Sequence, residues 1–182
     1  MGQMGKYVAL FVVLGWLGPA GAALAAENLG IKAFYGSWKG AGEAHSPDSY
    51  FAMTARDLDV RIAPKGAGFS VAWTTVTHPG GEASTAKVKR KSSTIDFLPS
   101  DKPGVFKAAR PGDPLAGEAY AWARIKGQTL SVYLLNIDAE GAYVIQSYDR
   151  TLTGIAMELT FARIRDDEPE RTATGKLVKI AD

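Results

Sequence analysis

Glu43-x-His45 places a carboxylate and an imidazole on one face of an extended segment, the residue types of half a metal site. A metal centre wants three or four ligands, and the neighbouring sequence offers no more. The adjoining His45-Ser46-x-Asp48 contains the residue types of a hydrolytic triad. A working triad holds its base about 2.6–3.2 Å from the nucleophile and orients it through the third group. Neighbouring loop residues seldom reach that geometry, so this segment reads as turn chemistry. Asp166-Asp167-Glu168-Pro169-Glu170 carries oxygen ligands for calcium but lacks the spacing of a defined loop, and reads as a solvated hairpin tip. The chain has no cysteine, and its two histidines are His45 and His78, which excludes thiolate–imidazole zinc sites. The expectation is a non-enzymatic protein with no catalytic residues, no metal and no cofactor.

Two other groups of residues could bind rather than react. Lys87-Val88-Lys89-Arg90-Lys91 concentrates positive charge. It would attract anionic lipid head groups, lipopolysaccharide phosphates or an acidic ligand. Equally, lysines protect an edge strand against aggregation. The net charge of the whole chain is only +2, which gives no ground for expecting nucleic acid as a partner. The aromatics are the stronger signal. Trp73, Tyr120, Trp122, Tyr133, Tyr143 and Tyr148 fall on expected strands, with Arg124 beside Trp122. Tyr and Trp pair an apolar body with a polar handle, which suits a small hydrophobic or amphiphilic ligand. These six aromatics and Arg124 are the candidate ligand-binding residues.

The elements that must position them begin after a leader. Lys6, the apolar run 7–17, the breakers Pro19 and Gly21 and the small-x-small site Ala23-Leu24-Ala25 have the order of an export signal. A spanning helix needs about 20 apolar residues, more than this interrupted run supplies. Cleavage is expected near Ala25/Ala26, leaving residues 27–182 as a single domain in the periplasm or beyond, with no transmembrane segment. From Phe34 to Glu43 the residues alternate. Phe34, Gly36, Trp38, Gly40 and Gly42 share one face, and the glycines let the strand bend or a neighbour approach closely.

Strands follow at 57–62, with Leu58, Val60 and Ile62 inward, and at 69–77. Two short strands are expected at 87–91 and 94–98, separated by Ser92-Ser93. The proline- and glycine-rich stretch 99–117, with one small strand at 105–107, is a candidate rim or lid. The last third reads as strands 118–125, 129–137, 142–150, 154–163 and 176–180 joined by short turns, an up-and-down meander. No long amphipathic helix is visible. About eight to ten strands without covering helices should close into an antiparallel barrel or fold as a sandwich. A two-residue turn at Lys126-Gly127 would put Ala119, Ala121 and Ala123 on one face with Leu130, Val132 and Leu134. Tyr120, Trp122 and Arg124 then take the other. Register decides whether the interior is a filled core or holds one ligand.

With Gly36-Ser37-Trp38 on the first strand and a meander after it, the chain resembles the lipocalin-like (calycin) barrels. That resemblance implies an all-β up-and-down barrel whose first-strand Trp38 plugs the closed end beneath a basic side chain from a late strand, here Arg163 or Lys176. The run from Gly36 to Glu43 also looks like the opening strand of the nitrobindin-type haem barrels. Those bind iron through a late-strand histidine, and nothing after His78 supplies one. In compartment, size and architecture the chain is similar to the serralysin-inhibitor barrels, which normally carry a disulfide that this chain cannot form. The expected function is binding of a small hydrophobic or amphiphilic ligand. The alternative is an interaction protein, an envelope factor or protease inhibitor, acting through its loops.

Overall fold

Alternating side chains make each strand half apolar, so a sheet built from them must bury one whole face. The chain does so by closing on itself. In the computed structural model, residues 28–45, 54–78 and 88–182 are described. The expected export signal, Ser46, Asp48 and Lys87 lie outside them. Ten strands follow in order: β1 (Gly36–His45), β2 (Thr54–Lys65), β3 (Gly68–His78), β4 (Lys89–Pro99), β5 (Val105–Ala108), β6 (Tyr120–Lys126), β7 (Thr129–Ile137), β8 (Tyr143–Thr153), β9 (Ala156–Arg165) and β10 (Glu168–Ala181). Each pairs antiparallel with its sequence neighbour, and β10 returns to β1 to close the barrel. The all-β, up-and-down barrel expected from the alternation is the fold observed.

Several boundaries move, each for a local reason. Lys89-Arg90-Lys91 and Thr94–Leu98 form one continuous strand, because Ser92 and Ser93 pair with Thr74 and Trp73 instead of turning. The β6–β7 turn is Gly127-Gln128, with Lys126 opposite Thr129. Gly127 takes the positive φ of 57° that this turn requires, which lysine would resist. The shift preserves parity, so Ala121 and Ala123 still share a face with Leu134 and Val132. Asp166 and Asp167 both adopt positive φ in a two-residue turn, and β10 starts directly after them, well before residue 176. The stretch 99–117 contains β5, which is part of the wall, and a short 3₁₀ turn, Pro114–Ala116.

One end of the barrel is filled. Phe34, on a 3₁₀ turn (Ile31–Phe34), and Trp38 are both buried, and Trp38 Nε1 donates to the Phe34 carbonyl at 3.1 Å. Phe69 stacks on Phe97 at 5.3 Å and meets Phe106 edge-on at 4.9 Å. Ile62, Leu130, Met157 and Leu177 complete this core. Tail residue Asn28 accepts from the Gly127 backbone, and Leu29 donates to the Gly127 carbonyl, tying the tail across the closed end. The expected plug is present, but its basic cover is Lys179, whose Nζ lies 5.9 Å from the Trp38 ring. Lys179 pairs in register with Trp38, whereas Lys176 pairs with Ala41 and Arg163 lies towards the other end. The glycines of β1 act as expected: a Cβ on Gly40 would fall 1.9 Å from the Lys176 carbonyl oxygen, and one on Gly42 2.3 Å from that of Thr174.

Candidate functional site

The same parity that fills one end leaves the other hollow. Extending the inward row of β2 backwards from Val60 and Leu58 brings Arg56 to the inner face. On β3 the row continues as Trp73, Thr75 and Thr77, and on β4 as Lys91 and Lys89. From the far wall come Gln146 and Tyr148 on β8, Leu159, Phe161 and Arg163 on β9, and Arg171 and Ala173 on β10. Together they enclose a cavity of about 290 Å³ at the end opposite Trp38. Gly42 belongs to its wall. Among the described residues the interior is therefore core in one half and cavity in the other.

The cavity is layered. Deepest is an aromatic arc, with Trp73 5.1 Å from Tyr148 and Tyr148 4.8 Å from Phe161 between ring centres. The Tyr148 hydroxyl donates to Gln146 Oε1 at 3.1 Å, and burial pushes its pKa up, so it stays a neutral donor. Nearer the opening stand Arg56, Lys89, Lys91, Arg163 and Arg171, with Arg90 on the margin. Arg163 Nε is bonded to Glu170, and marginal Asp59 pairs with Lys39 at 3.5 Å. Burial first, and then the nearby Arg171, push the Arg56 guanidinium below its usual range. Its Nε is buried without a hydrogen-bond partner.

Beyond the arc, and not lining the cavity, is Arg150. It is 0% exposed, with its guanidinium carbon 5.5 Å from the Trp73 ring centre and 5.6 Å from that of Tyr148. Nη1 donates to the Tyr148 carbonyl at 3.4 Å, while Nε and Nη2 have no partner. Burial pushes its pKa down to about 10, and it remains a cation at neutral pH. The two π faces supply part of the stabilisation that a carboxylate would otherwise give.

Of the seven candidate ligand-binding residues, the structure brings Trp73 and Tyr148 together in the cavity wall. The other five do not line it. Tyr120, Trp122, Arg124 and Tyr133 sit on the outer face, opposite the inward row Ala121, Ala123 and Ile125, with Trp122 stacked on Tyr133 at 5.0 Å. Tyr143 is also outward, its hydroxyl bonded to Asp167 and its backbone N–H to Asp166, which gives the acidic turn a structural task. Glu43 and His45 are exposed at the end of β1. Sequence reasoning missed Arg56, Gln146, Phe161 and Arg171. Continuing the period-2 row one step past Leu58 would have found Arg56, and the row Leu159-x-Phe161-x-Arg163 was equally readable.

No protein-family model matches the chain, and no curated protein does. Two solved structures share its shape. One is a protein of unknown function from the DUF3598 family of Nostoc punctiforme, with a TM-score of 0.57 and 14% identity over 88% of this chain and 53% of that one. The chain thus spans about half the length of that protein. The other is the S-type phycobiliprotein lyase of Guillardia theta, with a TM-score of 0.55 and 11% identity over 84% of this chain and 91% of that one. The fold is lipocalin-like. At these identities the likeness extends to the barrel alone. Among the described residues no helix is long and apolar enough to cross a membrane.

Proposed function

We propose that this lipocalin-like barrel is an exported, non-enzymatic binding protein that holds one small amphiphilic molecule in its open half. The observation that carries the reading is the 290 Å³ cavity walled by Trp73, Tyr148 and Phe161. An apolar pocket with a few convergent polar groups is the ordinary form of a small-molecule site, and its size lies near the lower end of the usual range, about 300–1,000 Å³. Export is supported by Lys6, the apolar run 7–17 and Ala23-Leu24-Ala25. The neighbouring lyase is consistent with small-molecule handling in such a barrel.

The test is a titration of the protein lacking residues 1–26 with N-phenyl-1-naphthylamine, an uncharged fluorophore. Saturable enhancement with one site per chain, accompanied by quenching of tryptophan emission, is expected. Ala173→Trp, which fills the cavity, should abolish it without altering the β-sheet circular dichroism. Absence of saturable binding, or binding unaffected by Ala173→Trp, would refute the reading. N-terminal sequencing of protein recovered from the periplasm should begin at Ala26 or Glu27, and a retained Met1 would refute cleavage.

A further inference from the structure

Granting the cavity function proposed above, we infer that the occupant is an anionic amphiphile. Its apolar body lies against Trp73, Tyr148 and Phe161, and its carboxylate, phosphate or sulfate sits at the rim between Arg56 and Arg171. The register gathers cations from four strands into one layer. Arg56 and Lys89 both pair with Thr77, and Arg171 stands directly opposite Arg163. Like charges opposite one another on antiparallel strands repel. Among the described residues Glu170 engages Arg163 and Asp59 pairs with Lys39, and no carboxylate is bonded to Arg56 Nε.

Arg56 is therefore left with a buried Nε that has no acceptor, and with Arg171 as a like-charged neighbour. Leaving a buried donor unmatched is costly, and a charged one more so. An anion seated here supplies the acceptor and the counter-charge together, and the planar fork of arginine fits carboxylate and phosphate geometry. A neutral ligand would leave the repulsion as it is, and a cationic one would add to it. Lys89 and Lys91, both exposed, carry the positive field outward, where it speeds capture of anions. The basic run on β4 thus has a ligand-facing side in Lys89 and Lys91.

The decisive comparison uses two probes with one aromatic skeleton, 8-anilinonaphthalene-1-sulfonate and its uncharged counterpart N-phenyl-1-naphthylamine. The sulfonate should bind at least about tenfold more tightly at low salt and lose that advantage as salt rises. Arg56→Gln and Arg171→Gln should each weaken the sulfonate by about tenfold or more and the neutral probe by far less, with an unchanged β-sheet circular dichroism reporting that the barrel is intact. Dodecanoate and dodecyl phosphate should displace the sulfonate, and dodecanol should not. Equal affinity for the two probes, insensitivity to both substitutions, or equal displacement by dodecanol would overturn the anionic assignment while leaving the cavity function standing. Failure of both probes to bind would remove the two readings together.

Discussion

The two ends of this barrel solve the same packing problem in opposite ways. At the closed end the plug and tail are tied by matched hydrogen bonds: Trp38 Nε1 meets a carbonyl, and Asn28 and Leu29 bond to Gly127. Around them Phe34, Phe69, Ile62 and Leu177 are almost wholly buried. At the open end the residues conflict. Arg163 faces Arg171, Arg56 Nε is orphaned, and a cavity remains. One end spends its sequence on stability and the other on an unmet interaction. Unsatisfied buried groups in a native structure call for an explanation, and one of them, Arg56 Nε, lies where a ligand would sit.

The comparison can be broken by substitution, and the largest effect belongs to the closed end. Trp38→Ala should cost about 3–5 kcal/mol of stability, measured by urea denaturation, through the cavity it leaves. A cost below 1 kcal/mol would show that the plug is dispensable. Gly40→Ala follows: its methyl would collide with the Lys176 carbonyl, and overpacking of that kind costs about 1–3 kcal/mol.

Arg150→Met should act in the other direction. Replacing an unpaired buried cation by a hydrophobe of similar volume should raise stability by about 1–4 kcal/mol. The pH dependence has a definite sign. With burial lowering the folded-state pKa to about 10, well below the ordinary guanidinium range, the unfolded chain binds more protons between the two values. The contribution of this group to stability therefore rises with pH across that window, and its penalty is full below it. The gap between Arg150→Met and the parent protein should narrow as pH is raised above about 10, and a gap that widens would contradict this.

The rim should contribute less. Arg171→Gln removes a like-charge contact and should raise ligand-free stability by about 0.2–1 kcal/mol at low salt, with the gain vanishing as salt screens it. The smallest consequence for binding concerns the outer aromatics. Trp122→Ser should lose about 0.5–1.5 kcal/mol with its stack on Tyr133, yet leave the affinity for both fluorophores unchanged. A loss of binding would move the site to the outer face.

The fold was largely legible because period-2 alternation specifies which face is buried, and a barrel has one inside. The β1 row through Gly36, Trp38 and Gly40 and the β2 row through Leu58, Val60 and Ile62 were readable from the sequence. The site was only partly legible. Aromatic type alone does not separate Trp73 and Tyr148 from Trp122 and Tyr133, since either face of a strand accepts such residues. Parity within one strand separates them only once a buried neighbour fixes its sense, as Ala123 and Ile125 do for β6. Arg56 and Arg171 were hidden for a different reason. Cations at strand ends normally read as solvated, and their inward placement depends on pairings across the barrel.

The ring has links of unequal strength. β4 is joined to β3 from Lys89 to Phe97, but to β5 only through Phe97, Leu98 and Pro99. Along residues 89–95 the β5-facing edge therefore has no strand ladder. A closed sheet distributes strain around its circumference and parts where the fewest hydrogen bonds must break. The shortest ladders are those of β5, three pairs to β4 and three to β6, and the unpaired edge of β4 runs from there to Lys89 and Lys91 at the mouth of the cavity. Amide exchange should begin there while the rest of the circle stays protected. The wall then has a place to breathe next to the basic rim, without disturbing the plug at the far end.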